Sequence, residues 1–250
     1  MAESPSAARF PTTHWGLVVA AGDRATPEAR EALAGLCRDY WYPLYAFVRR
    51  KGCGPDEAAD VVQGYFVRLL EGGVLGAADP VKGRFRGFLM ADCSYFLAHR
   101  RARASAGKRG GGRVPIPIDA LEAEGRFGRE PSHDLTPERL FERAWAVTLL
   151  RGVLDRLGDE YRGDGRGPTF DAIKFVLTDG PGAVPYAAIA DRLVTTEGAV
   201  QAAVHRLRRR YAALLRERIA ATVGDPAGVE DEIRDLFEAL APAAKIRPGP

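Results

Sequence analysis

PYAAIADRLVTTEGAVQAAVHRLRRRYAALL, residues 185–215, decides the fold. Pro185 to Leu193 reads as a short helix with Tyr186, Ile189 and Leu193 apolar, and Val194, Thr195 and Thr196 form a tight turn. Thr196 can cap a second, longer helix, because a threonine hydroxyl accepts a free amide of the first turn. Two helices joined by so short a turn make a helix-turn-helix, whose second helix can enter the DNA major groove. At 100° per residue, Val200, Val204, Leu207 and Tyr211 share one inward stripe. The opposite face carries Ala202, His205, Arg206 and Arg209, with Arg208 and Arg210 on its flanks and Gln201 beside it. Small residues early and arginines later let such a helix approach the groove and hold phosphates or guanine edges.

Outward from this stretch, helical periodicity continues and strand alternation is almost absent. Thr13 can cap a short N-terminal helix, and Thr26-Pro27-Glu28 starts a long one that Pro43 is expected to kink or break. Pro55 opens a helix with Ala58, Val62, Tyr65, Phe66 and Leu69 on one stripe. Asp79-Pro80 starts another, with Phe85, Phe88, Leu89 and Phe96 inward. AGKRGGGRVPIPID, residues 106–119, is glycine-rich, basic and then broken by prolines, so 106–137 reads as a flexible linker and the domain boundary. Thr136-Pro137-Glu138 starts the next helix, with Leu140, Phe141, Trp145, Leu149 and Leu154 apolar. Residues 163–168 read as a loop, 170–177 as a short helix.

The 250 residues carry a net charge of only +3, but the charge is unevenly placed. No acid lies between Asp92 and Asp119, while Arg100, Arg101, Arg103, Lys108, Arg109 and Arg113 do. With the arginines near 206–210 this makes two basic stretches, which suggests two contacts with a polyanion. Residues 225–240 carry six acids against Arg234, a net of −5, and residues 200–218 six arginines against Glu217, a net of +5. The acidic segment reads either as a packing helix with a solvated face or as a tail folded onto the arginine face, restraining DNA binding.

Other chemistry finds little purchase. Cys37, Cys53 and Cys93 are scattered, odd in number and without a CxxC, which speaks against a disulfide framework or zinc site and for a reducing cytoplasm. His14, His99, His133 and His205 lack metal-ligand spacing, and GKRGGGR lacks the phosphate-loop pattern. No membrane-length apolar run or signal pattern is present, so the expectation is a cytoplasmic, non-enzymatic protein without metal or cofactor.

The segment 185–215 resembles region four of bacterial sigma factors, the module that reads the −35 promoter element. YWYPLYAFVRR (40–50), PDEAADVVQGYFVRLL (55–70) and GRFRGFLMADCSYFLAHRRARA (83–104) resemble, in order, the parts of region two. The ordered set is similar to the extracytoplasmic-function group of the sigma-70 family. That resemblance implies an all-α, two-domain chain: an extension (1–25), a region-two-like bundle (26–105), a linker (106–137), a region-four-like helix-turn-helix domain (138–218) and an acidic extension (219–250). It implies core RNA polymerase as partner, through the β′ clamp helices and the β subunit, together with promoter DNA. An inhibitory anti-sigma protein would be a further partner, and no membrane is implied. The polymerase contact would involve Asp60, Gln63, Gly64 and Val67 on an outward helix face. The −10 element would be read by Asp92, Tyr95, His99, Arg100, Arg101 and Arg103, and the −35 element by Thr196, Gln201, Ala202, His205, Arg206, Arg208, Arg209 and Arg210. Members of that group usually have an acid where Gly64 stands. They often have glycine where Val194 stands, so either the turn has another geometry or the alignment moves by one residue. A helix-turn-helix regulator that binds duplex DNA without polymerase is the alternative function.

Overall fold

A computed structural model describes residues 27–71, 84–105, 120–130, 135–178, 184–223 and 226–241. Every regular element among them is helical: α1 (Pro27–Arg50), α2 (Pro55–Glu71), α3 (Phe85–Ser105), α4 (Ala120–Phe127), α5 (Pro137–Gly163), α6 (Gly167–Ile173), α7 (Tyr186–Leu193), α8 (Glu197–Ala220) and α9 (Val229–Leu240). The fold is all-α. No described helix is long and apolar enough to cross a membrane. The helix starts expected at Thr13 and Asp79 and the basic stretch 106–119 lie outside the described residues.

The residues group into two compact units. One takes 1–148 and 219–250, the other 149–218. Both α5 and α8 therefore contribute residues to each unit.

In the first unit α1 packs on α2, α3 and α4. Its core holds Leu44, Tyr45 and Phe47 of α1, Val62, Tyr65 and Phe66 of α2, and Leu89, Cys93 and Leu97 of α3. The buried Tyr65 hydroxyl donates to the Leu89 carbonyl at 3.1 Å, so the phenol enters the core with its polar end satisfied. Pro43 does not break α1, which runs through it to Arg50. An interior proline costs about 3 kcal/mol. Complete burial of Leu44, Tyr45, Phe47 and Val48 just beyond it offsets that cost.

The expected linker contains a packed helix. Glu124 of α4 accepts Arg49 Nε at 2.9 Å, Arg49 Nη2 at 2.7 Å and the Tyr45 hydroxyl at 2.6 Å. The Arg49 guanidinium also lies 4.8 Å from the Phe127 ring centre, and that of Arg126 3.6 Å from Tyr42. A glycine- and proline-rich stretch hid a short helix that docks by charge and aromatic stacking. Those bonds hold the Glu124 carboxyl below the usual glutamate range. A lowered folded-state pKa means stability present above the unfolded value of about 4.3 and lost as pH falls through the folded one. We expect thermal melts at falling pH to lose stability below about pH 4.3, and Glu124→Gln to flatten that loss. An equally steep loss in the variant would discount the contact.

The acidic C-terminal segment forms α9, which packs in the first unit. Arg86 at the start of α3 is 5% exposed and Glu232 of α9 4%. Their side chains pair directly, and Arg86 Nε also reaches Glu142 of α5 at 2.5 Å. Arg84 Nε lies 3.0 Å from Glu232, while Asp235 pairs with Arg84 and accepts Arg86 Nη2 at 3.3 Å. The Arg86 guanidinium stacks 4.4 Å from the Trp145 ring centre. Arg143 Nη1 caps the C-terminal end of α9 through the Leu240 carbonyl at 3.2 Å. Of the acids of this helix, Glu232 and Asp235 thus meet Arg84 and Arg86, and Asp231 meets Arg234 within the helix. Phe237, expected on the apolar side, is 56% exposed, while Leu236 is fully buried.

In the second unit Leu157 and Tyr161 of α5, Phe170 and Ile173 of α6, Ile189 of α7 and Val200, Val204 and Leu207 of α8 form the core. Val153 and Leu157, rather than Leu154, carry the buried stripe of α5. The expected loop at 163–168 shrinks to three residues between α5 and α6.

Candidate nucleic-acid interface

Helices α7 and α8 are separated by Val194, Thr195 and Thr196. The Thr196 hydroxyl accepts the Ala199 amide at 3.2 Å, the N-cap that starts α8. The Thr195 amide returns to the Ala190 carbonyl at 3.0 Å, closing the end of α7. Val194 has φ 51° and ψ 54°, the left-handed conformation that ends helices. The turn thus has the positive-φ geometry that glycine favours, with a β-branched residue in it. Val194 is also 93% exposed, so its side chain gains almost no packing in return. A left-handed non-glycine residue costs about 1–2 kcal/mol. Glycine loses more chain entropy on folding, which returns up to about 1 kcal/mol of that. Val194→Gly is therefore expected to raise the thermal midpoint, by a net gain of up to about 1 kcal/mol. A lower midpoint would mean that the valine side chain is held by contacts.

The inward stripe of α8 is as expected at Val200, Val204 and Leu207, all buried, with Tyr211 half-buried and its hydroxyl on the Leu150 carbonyl at 3.3 Å. Gln201, Ala202, His205, Arg206, Arg208 and Arg209 are exposed along the other side. Arg210 departs from them. Its Nε and Nη2 bind both oxygens of Glu160 at 2.8 and 2.6 Å, and Nη1 binds Glu217 at 3.2 Å. These bonds raise the Arg210 pKa and lower that of Glu160. Arg210 holds α8 to α5 and is not part of the open face. Helix phase puts it on the flank, and the glutamate that faces it stands 50 positions away in the sequence.

Helix α3 carries the second candidate set, and its six residues divide. Tyr95 is 64% exposed, and its ring centre lies 6.2 Å from that of His99. Arg103 follows one further turn along, so Tyr95, His99 and Arg103 form an open stripe at four-residue spacing, with exposed Ala91 and Ala98 nearby. Asp92 turns away to Arg68 at 3.0 Å. Arg100 donates to the Asp60 carbonyl at 3.0 Å, and Arg101 to the Lys51 carbonyl at 2.9 Å and Cys53 Sγ at 3.4 Å. Two aromatic rings and a guanidinium on one open stripe can stack on unpaired bases and meet a phosphate.

The candidate polymerase face of α2 is less open than its sequence suggests. Asp60, Gln63, Gly64 and Val67 are all half-buried. Gly64 lies against α3: a Cβ there would stand 3.4 Å from Arg100 Nη1 and 3.6 Å from the Phe96 ring. The guanidinium of Arg100 thus covers this position. Phe96, expected inward, is half-buried between Tyr65, at 5.7 Å between ring centres, and the Arg68 guanidinium at 5.6 Å.

A cleft of about 460 Å³ adjoins the helix-turn-helix inside the second unit. Its lining includes the turn, the first half of α8 and Arg166, a residue that helix periodicity does not single out because it stands in the three-residue connection before α6. Among the described residues no group of three or more histidine, cysteine or acidic side chains is placed to hold a metal ion. In comparisons with known proteins, no family model, no curated protein and no solved structure matches the chain.

Proposed function

We propose that this protein is an RNA polymerase sigma factor of the extracytoplasmic-function type, which binds core polymerase and promoter DNA and performs no catalysis itself. The observation that carries the reading is the open face of α8: Arg206, Arg208 and Arg209 exposed beside Ala202 and His205, behind a capped turn with Val194 in the left-handed conformation. A helix so presented fits the major groove, with small residues near the bases and arginines on guanine edges or phosphates. The stripe of Tyr95, His99 and Arg103 supports a second contact, to the melted −10 strand. Helix α2 would dock on the β′ clamp helices and the second unit on the β subunit, as the resemblance implies. Polymerase would then hold two weak DNA contacts at one spacing, so that each raises the effective concentration of the other.

Run-off transcription on a promoter library, with purified core polymerase and with or without the full chain, tests this. Initiation at a defined subset of promoters only when the chain is present is the expected result. Protection of specific duplex DNA by the chain alone, with no effect on polymerase, would replace the proposal with a helix-turn-helix regulator.

A further inference from the structure

The cleft beside the turn has two faces of different chemistry. Ile173, Leu193 and Val200 contribute apolar lining, while Arg166 and Arg206 line it from separate elements, with the threonines 169 and 195. No carboxylate lines it. On α8 the lining positions are Ala199, Val200, Ala203 and Arg206. At 100° per residue, 199, 203 and 206 lie within about 60° of one another, and 206 borders the open face of 202, 205 and 209. Arg206 therefore belongs both to the open face and to the cleft. The Arg166 guanidinium stacks 4.6 Å from the ring centre of Tyr161, which also lines the cleft, and donates to the exposed Asp164.

We infer that Arg166 and Arg206 form a two-sided seat for a backbone phosphate of duplex DNA, next to the base pairs that α8 faces. The inference rests on DNA binding by α8 and extends it to a residue outside the helix-turn-helix. Two guanidinium groups from different elements grip a tetrahedral anion from two directions, which a single helix cannot do. The alanines at 199 and 203 leave room for the backbone to approach. Such a contact fixes register and carries no sequence preference. Asp164 competes with the phosphate for Arg166.

The test uses full-length protein with core polymerase, titrated with promoter duplexes at several chloride concentrations between about 50 and 200 mM, the range over which phosphate contacts are read. Arg166→Gln is expected to weaken binding several-fold at the low-salt end, equally across promoter sequences, and to make the salt slope shallower by about one. Asp164→Asn is expected to tighten binding by releasing Arg166. An unchanged slope and affinity in Arg166→Gln, with its melting temperature unchanged, overturns the seat. Loss of polymerase binding with DNA binding retained also overturns it, and gives the cleft to a polymerase segment. Inorganic phosphate at matched ionic strength is expected to weaken duplex binding in the wild type and not in Arg166→Gln, because both anions compete for the same two guanidinium groups. If the wild-type chain binds duplex DNA only without polymerase, the sigma proposal fails, and the same two variants test the seat on the chain alone. Failure to bind DNA under either condition overturns both.

Discussion

Glu232→Ala is expected to destabilise the first unit by about 3 kcal/mol, because removing one partner of a buried ion pair strands the other. For a chain of this length that is a fall of roughly 10 °C in the melting temperature. The cause lies in the burial of Arg86. Its guanidinium is 5% exposed, and burial pulls its pKa down against the upward pull of Glu142. Without Glu232 it keeps Glu142 and Asp235, both on the rim, and loses the one carboxylate buried with it. The double variant Arg86→Met, Glu232→Leu should recover most of the loss, since an apolar pair of similar volume replaces a buried ion pair at little cost. Thermal and denaturant melts of the wild type and both variants decide it. A Glu232→Ala protein as stable as the wild type would mean that α9 is not held by its charges.

Arg209→Ala and Arg210→Ala, one residue apart, should behave oppositely. Arg209 is exposed on the open face of α8, and its removal is expected to weaken duplex binding about tenfold, or about 1.4 kcal/mol, while leaving the melting temperature alone. Arg210 is bound to Glu160 and Glu217. Its removal should cost a little stability, since partly exposed ion pairs contribute at most about 1 kcal/mol. Its effect on DNA affinity should be small. Binding isotherms and melts on both variants separate the roles. Equal losses of affinity with unchanged stability would return Arg210 to the DNA face.

Most of the helices were legible in the sequence because their signals are local. Thr136 caps α5, accepting the Arg139 amide at 3.2 Å, and Thr196 caps α8, as the cap-and-acid patterns predict. The stripe Ala58, Val62, Tyr65, Phe66 and Leu69 is wholly buried, as a period of 3.6 requires. What could not be read was pairing between distant residues. Glu124 meets Arg49, 75 positions away, and Glu232 meets Arg86, 146 away. No local pattern marks such partners, so the first hid in an apparent linker and the second in an apparent solvated face. The candidate site was legible to the same degree. Exposure of Tyr95, His99 and Arg209 follows from helix phase, whereas Arg100, Arg101 and Arg210 are turned aside by carbonyls and carboxylates on neighbouring elements.

The division of α5 between the two units bears on where the chain can be cut. Residues 137–148 supply Leu140, Phe141 and Trp145 to the first unit, all buried, with Phe141 at 6.2 Å from the Phe47 ring and Trp145 under Arg86. A fragment begun at Pro137, where the sequence invites the cut, would carry those side chains away from the partners that cover them. It would also leave a trench in the piece left behind. Such a fragment should be sticky and poorly soluble, and one begun at Leu149 should not. For this protein the seam for dissection, grafting or module exchange runs through the middle of a helix.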